Sequence, residues 1–345
     1  MLNNIKIHIL FDFVDGAWGG GNQFLKAIKE YMILKNIYTD DYNNADVIII
    51  NSYNNFQKAM SIKLKNNKVK IVHRIDGPIS YYRDDGVFLD KIIFTINRLL
   101  ADGTIFQSKY TKQASLDKGM NLFGELDSII LNAPNPKIFY EKTDNSIKKS
   151  KIRLIATSWS GNIKKGFDVY SWLDKNLDFN KYDMVFIGNT PIKFNNIEHK
   201  QPMNSNDLSD ELRKSDIFIF ASKIESCSNS LLEALHCGLP TIAYDSSSMP
   251  EIVKDGGELF KDKNEIPKLL EKISNNYTKY KENISLPKID EIGLNYVEFC
   301  QSLQNEESRK KINLFSYIVN ITILRSIFII KKIYMQVRKI VEKIN

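Results

Sequence analysis

The feature that most constrains the fold is an alternation of short β-rich runs with stretches of helical length, which occurs twice along the chain. In the first part, the runs IKIHILF, ADVIIIN and KVKIVH are separated by stretches such as NQFLKAIKEYMILK. The alternation resumes with IRLIATS, YDMVFIGN, DIFIFAS and LPTIAYD. Strands that alternate with helices favour βαβ units and a parallel sheet. The sequence therefore predicts an α/β protein with two Rossmann-like, doubly wound domains.

The chain length and two prolines suggest where these domains meet. At 345 residues the chain is long enough for roughly two domains of ordinary size. Pro134 and Pro136 in NAPNPKIFYEK stop both helix and strand continuation. The predicted segments are a first domain at 1–135, a second domain at 136–290, a crossover helix at 291–305 and a helical tail at 306–345.

Composition and charge narrow the function classes. Hydrophobic content of 43% and charged content of 26% are typical of soluble globular proteins. The net charge of +7 would suit nucleic acid, an anionic membrane or phosphorylated ligands. The basic excess is concentrated in the Ile-rich tail, without a clear aromatic platform for stacking bases, so a nucleic-acid binder is the least favoured class.

The cysteines and the N-terminus predict a cytoplasmic protein. The three cysteines lack CxxC spacing and cannot all pair, which argues against a disulfide framework or a zinc site. MLNNIKIHILFDF has no charged region followed by a cleavable apolar run, and it is better explained as a first buried strand.

Two loops have the character of anion sites, because loops at the carboxyl ends of parallel strands lead into helix N-termini. In DGAWGGGNQ, Gly19, Gly20 and Gly21 would let backbone amides approach an anion. The glycines are contiguous, so this is not the dinucleotide fingerprint, and a plain tight turn explains the loop equally well.

The second loop, ESCSNSLLEALHCGLP, combines two carboxylates with a helix start. Glu225 precedes the helix, Ser228, Asn229 and Ser230 are candidate N-caps, and Glu233 lies about one turn inside. Glu233 could merely interact with its own helix dipole, but LLEAL surrounds it with apolar neighbours, and a buried carboxylate needs partners. Because an ionised acid accepts hydrogen bonds from a vicinal diol, we predict a ligand with sugar hydroxyls at each end and phosphate between them.

These residues resemble the retaining glycosyltransferases of family 4, which have the GT-B fold of two Rossmann-like domains facing each other across a cleft. The resemblance rests on the spacing of Glu225 and Glu233 and on the trailing Ala234, Gly238 and Pro240. Further matches occur in the same order along the chain: HRIDGP, LADGTIFQSKY, NAPNPKIF, KKGFDVY and VFIGNTP. The resemblance covers roughly residues 5 to 300.

The resemblance implies that the second domain binds a nucleotide sugar and the first domain an acceptor, with retention of anomeric configuration. Glu225 would contact the donor sugar, Glu233 the ribose diol, and Lys165 the departing diphosphate, so Lys165 and Glu225 are predicted catalytic residues. The other predicted donor contacts are Gly19, Gly20, Lys164, Gly188, Ser228, Asn229 and Ser230.

One position departs from the family pattern. The Arg that the family often places five residues before the KG lysine is Ser160 here. Lys164 could replace the charge but not the planar bidentate fork. A degenerate scaffold or partner subunit without turnover is therefore the non-enzymatic alternative.

On the acceptor side, His73 is the third predicted catalytic residue. It ends the run KVKIVH, and at the edge of a cleft it could orient the reacting sugar or the acceptor hydroxyl, although a lone histidine is more often structural. Arg74 and Asp76 are acceptor-side candidates, with surface charge as the alternative.

The chain contains no D-x-D, which predicts a metal-independent reaction in which lysine and backbone dipoles meet the leaving-group charge. We expect no metal and no cofactor beyond the donor substrate, linked to UDP or GDP.

The tail is basic and rich in Ile. Polar residues interrupt its apolar sequence, which predicts a basic amphipathic helix that lies on an anionic membrane rather than crossing it. Packing on the protein itself or on a second chain is the alternative. A peripheral position on the inner face of the cell membrane would suit a lipid-linked acceptor.

The predicted function is transfer of a sugar to a glycan or lipid-linked acceptor, in cell-surface polysaccharide or lipopolysaccharide biosynthesis. A GT-B sugar-nucleotide epimerase is the enzymatic rival, and it would need catalytic acids in both domains.

Overall fold

A computed structural model describes residues 5–15, 20–83, 85–122, 126–141, 151–304 and 310–344, with side chains of the last range described to residue 338. The chain forms two compact units. Unit 1 comprises Met1–Asp12, Lys29–Leu131 and Gly293–Asn345, and unit 2 comprises Phe13–Ile28 and Asn132–Ile292. The predicted Gly19 lies outside the described residues.

Unit 1 contains a parallel sheet of five strands in the order β1-β2-β3-β4-β5. The elements of this part of the chain are β1 (Ile7–Leu10), α1 (Gly20–Leu34), β2 (Val47–Asn51), α2 (Phe56–Lys65), β3 (Lys70–Ile75), α3 (Gly86–Leu100), β4 (Gly103–Phe106), α4 (Lys109–Asp117) and β5 (Leu126–Ile129). The first nine residues of α1 belong to unit 2 and the rest to unit 1.

The central strands of unit 1 are buried along their whole length. Every residue of β2 and β3 is buried, as expected for β-branched runs covered on both faces of a parallel sheet. After α1, Tyr38 forms a parallel bridge with Ile7 on the side of β1 opposite to β2. The chain then crosses back to form β2. The connections on the two sides of β1 therefore run in opposite directions, which makes the sheet doubly wound.

Unit 2 contains a parallel sheet of six strands in the order β11-β10-β9-β6-β7-β8. Its elements are β6 (Ile152–Ser158), α5 (Phe167–Asn176), β7 (Tyr182–Gly188), β8 (Glu198–Lys200), α6 (Ser205–Lys214), β9 (Ile217–Phe220), α7 (Asn229–His236), β10 (Thr241–Tyr244), α8 (Met249–Val253), β11 (Gly257–Phe260), α9 (Ile266–Asn275) and α10 (Tyr277–Glu282). The order of strands reverses between β6 and β9, which is the arrangement of a doubly wound domain. The predicted α/β class with two such domains is confirmed.

Two helices complete the chain, α11 (Ile289–Gln304) and α12 (Leu314–Ile344). The division between the units falls inside α11. Within the tail, α12 is one continuous helix of 31 residues, and its part Leu314–Arg338 is long and apolar enough, by length and composition, to cross a membrane. The expectation that polar residues interrupt the tail too strongly for this was wrong, because they are spread thinly around a long helix.

Candidate functional site

Unit 2 has a cavity of about 320 Å³ at the carboxyl edge of its sheet. Ser158, Gly188 and Phe220, the last residues of β6, β7 and β9, line it. The order of strands reverses between β6 and β9, and the crevice at such a reversal is where open parallel sheets bind ligands.

Two helices begin at this cavity. Gly20 is the first residue of α1 and Asn229 the first of α7, and both line the cavity. Ser228 caps α7 by accepting a hydrogen bond from the Leu231 N–H at 3.3 Å. A Cβ on Gly20 would lie 2.8 Å from the Cβ of Asn229, so the two helix starts approach this closely only with glycine. Free N–H groups and dipoles at two helix N-termini favour an anion here.

Lys165 and Glu225 form an ion pair in the same cavity. The Nζ of Lys165 lies 2.6 Å from Oε1 of Glu225, and the Ser222 hydroxyl donates to the same oxygen at 2.6 Å. Gly166 ends the turn that carries Lys165 with φ of 84°, and a Cβ there would lie 2.1 Å from the carbonyl oxygen of Ala221. The lysine is therefore fixed beside the carboxyl end of β9 by a close backbone approach that only glycine permits.

Glu233 projects into the cavity from the first turn and a half of α7. Its side chain is partly exposed, and loss of hydration raises the pKa of its carboxyl to about 8. Within the described part of the chain, no side chain or backbone group forms a hydrogen bond or ion pair with this carboxyl group. A desolvated carboxyl that faces a cavity without partners is suited to accept hydrogen bonds from a ligand.

The cavity also has an apolar side that sequence reasoning missed. It is lined by Trp159, Ile187, Pro202, Met203 and Leu208. Trp159 is 49% exposed, and its carbonyl oxygen accepts a hydrogen bond from the Asn189 amide at 2.6 Å. An exposed tryptophan directly after a buried strand was the signal in the sequence that could have identified this wall.

The structure gathers most of the predicted donor residues in this cavity. They are Gly20, Lys165, Gly188, Glu225, Ser228, Asn229, Ser230 and Glu233. Lys164 is exposed and does not line the cavity, because consecutive residues of the turn point in different directions. Ser160 does line it, and among the described lining residues Lys165 is the one Lys or Arg.

His73 does not have the position that we predicted. It is the fourth of six residues in β3 and is fully buried in unit 1. One ring nitrogen, Nε2, lies 2.7 Å from the Ser52 carbonyl oxygen, and Nδ1 lies 3.3 Å from the Asn97 amide. Burial lowers the pKa of His73 to about 4. The expected position at an open edge was wrong, because both ring nitrogens are engaged inside unit 1. A catalytic role for His73 stays a prediction.

Arg74 and Asp76 form a network in unit 1. Arg74 is fully buried, so the surface-charge alternative is wrong for it, and its Nη1 donates to Asp76 Oδ1 at 2.8 Å. Asp76 also accepts hydrogen bonds from the amides of Asn51 and Gln107. The Asp76 side chain is 34% exposed just beyond β3, and Arg74 holds it in place.

Over the ranges that the structure describes, no three His, Cys, Asp or Glu side chains form a group that could hold a metal ion.

Part of unit 2 is similar in sequence to a known protein family. Residues 193–285 match the family described as glycosyl transferases group 1. A protein of Klebsiella pneumoniae, described as an uncharacterized 41.2 kDa protein in the cps region, is 26% identical over 255 residues, which cover 68% of this chain and 71% of that protein.

Solved structures share the fold over most of the chain. HepE of Anabaena, in complex with UDP and glucose, has a TM-score of 0.65 at 14% identity, covering 86% of this chain and 100% of HepE. Sucrose-phosphate synthase of Thermosynechococcus elongatus has a TM-score of 0.61 at 13% identity, covering 94% and 99%. The lipopolysaccharide outer core galactosyltransferase WaaB has a TM-score of 0.59 at 14% identity, covering 86% and 100%. At these identities the likeness establishes the fold, which is GT-B. The chain is therefore similar to glycosyltransferases in its fold and, over residues 193–285, in its sequence.

Proposed function

We propose that this chain is a glycosyltransferase, which transfers a sugar from a nucleotide-sugar donor to a glycan or lipid-linked acceptor during assembly of a cell-surface polysaccharide. The observation that carries the proposal is the convergence, in one cavity of unit 2, of two helix N-termini, the Lys165–Glu225 pair and the unpartnered carboxyl of Glu233. The Klebsiella relative encoded in a cps region and the outer core galactosyltransferase support the polysaccharide context.

In this proposal the donor lies across the cavity with its diphosphate at the starts of α1 and α7. Glu233 accepts hydrogen bonds from the ribose diol, and this contact favours the ionised carboxylate, which desolvation alone disfavours. Glu225 accepts hydrogen bonds from hydroxyls of the donor sugar. Trp159 stacks on the nucleobase, since an exposed aromatic face is matched to any base. A UDP-linked donor is favoured because HepE was solved with UDP and with UDP-glucose.

The proposed reaction retains the anomeric configuration without a metal ion. The bond from the anomeric carbon to the diphosphate oxygen breaks, the acceptor oxygen bonds to the same face, and the leaving phosphate takes the acceptor proton. Lys165 moves from Glu225 to the diphosphate and stabilises its growing charge together with the helix N–H groups. Asp76 stays a candidate acceptor contact because it is partly exposed and oriented by Arg74.

The first experiment is thermal unfolding with UDP, GDP, ADP, CMP and their common sugar conjugates, in EDTA. A ligand at 100 times its dissociation constant adds about 2.7 kcal/mol of stability. We expect UDP or its conjugates to raise the midpoint, and Glu233→Gln to remove most of this shift. If no nucleotide raises the midpoint in EDTA, the donor-site assignment is wrong. Transfer in EDTA, followed by NMR of the product anomer, then tests metal independence and retention.

A scaffold without turnover is the second candidate. It is favoured by one observation, that the described lining of the cavity carries a single cation, which is already paired with Glu225. Nucleotide binding without release of the nucleotide from any sugar conjugate, across a panel of acceptors, would support it.

A further inference from the structure

The two faces of α12 have opposite environments. The inward face is part of the core of unit 1, where Ile321 is 7% exposed and Leu324 is fully buried, and Phe328 stacks on Phe56 of α2 with ring centroids 6.1 Å apart. Lys331 forms an ion pair of 2.9 Å with Asp85, just before α3. The helix is therefore an integral part of the unit.

The outward face of α12 is apolar and exposed. Its large apolar side chains are between 38% and 77% exposed, and they are Leu314, Phe315, Ile318, Val319, Ile323, Ile329, Ile330, Ile333 and Val337. An apolar face of this extent, which also includes the exposed polar residues Thr322 and Ser326, is unusual on a soluble domain and marks an interaction surface.

Charge distinguishes between the possible occupants of this face. From residue 310 to residue 338 the chain has six Lys and Arg and no Asp or Glu, and Arg325 and Lys332 are exposed along one flank of the apolar face. Being seven residues apart, they lie on the same side of the helix. A second copy of this face would bring like charges together with no acid to pair them. An anionic lipid surface complements both the cations and the apolar side chains.

The inward packing also decides between lying on the membrane and crossing it. Crossing would remove Ile321 and Leu324 from the core of unit 1 and separate Lys331 from Asp85. It would also place Arg325 near the middle of the apolar stretch Leu314–Arg338, where a charge is costly. Lying in the interface preserves every one of these contacts.

We propose that α12 docks unit 1 flat on an anionic membrane, with its outward face in the headgroup region and its inward face still packed on α2 and α3. This inference does not depend on the proposed donor chemistry, because vesicle binding needs no nucleotide sugar.

The test is co-sedimentation of the full chain with vesicles of phosphatidylcholine alone or mixed with phosphatidylglycerol. We expect binding to the anionic vesicles, weak binding to the neutral ones, and release at about 1 M salt, where the screening length falls to about 3 Å. The double variant Arg325→Gln/Lys332→Gln should bind anionic vesicles roughly thirtyfold more weakly, at about 1 kcal/mol for each cation near the surface.

A second double variant tests the apolar part. Ile329→Gln/Ile333→Gln should lower binding at least tenfold, because each buried Ile contributes favourably to insertion. The matched control is Ile33→Gln/Leu34→Gln, which removes two exposed apolar side chains, 49% and 71% exposed, at the end of α1 and should leave binding unchanged. All these positions are exposed, so we expect every variant to keep the wild-type unfolding midpoint, which verifies folding.

Two results would overturn the inference. Binding that is equal on neutral vesicles and survives an alkaline carbonate wash would indicate a spanning helix. A stable dimer in solution that Ile329→Gln/Ile333→Gln converts to a monomer, with no vesicle binding, would show that a second copy covers the face.

Discussion

His73 and Glu233 are both ionisable groups that the protein surroundings strip of water, one in each unit, and they differ in their partners. His73 has hydrogen-bonding groups at both ring nitrogens, supplied by its own unit. The carboxyl of Glu233 has none among the described residues and faces a cavity. A desolvated group whose bonds are complete stabilises the fold, whereas a desolvated group without partners at a cavity is available to a ligand. A perturbed pKa alone would not have distinguished the two.

The largest expected effect concerns the pH dependence of stability of the ligand-free protein. The folded-state pKa of Glu233, about 8, lies above its ordinary value of 4.5, so its contribution lowers stability as pH rises between these values. At about 1.36 kcal/mol per pKa unit, the loss is up to roughly 5 kcal/mol. Glu233→Gln should abolish this part of the slope, as measured by urea unfolding from pH 5 to 8. An unchanged slope would contradict the assignment of a desolvated, unpartnered carboxyl.

Lys165 allows a sharper comparison within unit 2, because its neighbour Lys164 lies outside the cavity. Lys165→Ala should lower kcat about 10²- to 10³-fold, or about 2.7–4 kcal/mol, since it removes a charge that stabilises the leaving group. Lys164→Ala is the matched control and should change kcat little. Equal losses in both variants would mean that the general positive charge of the turn matters, rather than one positioned ammonium.

His73 should show the opposite pH dependence to Glu233. Its folded-state pKa of about 4 lies below its ordinary value of 6.5, so its stabilising contribution is present above pH 6.5 and is lost as pH falls towards 4. The expected loss is up to about 3 kcal/mol. Urea unfolding of His73→Gln should show a smaller acid-side loss and lower stability at pH 7. If this variant instead kept full stability and lost only transfer activity, the structural assignment of His73 would fail.

The smallest expected effect is at the apolar wall of the cavity. Trp159→Ala should weaken UDP binding by about 1–3 kcal/mol, the range for stacking of a base on an aromatic ring. Trp159→Phe, the control, should retain much of that affinity. Calorimetric titration measures both affinities. Equal affinities for wild type and Trp159→Ala would show that the base does not stack on Trp159.

Prediction from sequence succeeded where local order determines position. In a parallel sheet, all strands end at the same edge, so Gly188 at the end of β7 and Glu225 after β9 had to lie at the same edge. The helix that begins after Glu225 placed Glu233 about one turn inside its start. Prediction from sequence failed where hydrogen-bond partners are distant along the chain. The partners of the His73 ring nitrogens are 21 and 24 positions away.

The sequence by itself determined the alternation of strands and helices, the two doubly wound domains and the spacing of the two glutamates, because each depends on short-range periodicity. Only the tertiary structure decided that Lys165 faces the cavity while Lys164 does not, that Trp159 lines it, and that Arg74 is buried beneath Asp76. It also decided that α12 packs one face on unit 1 and exposes the other. The physical reason is that burial and hydrogen-bond completion depend on neighbours brought together by folding, which periodicity along the chain does not specify.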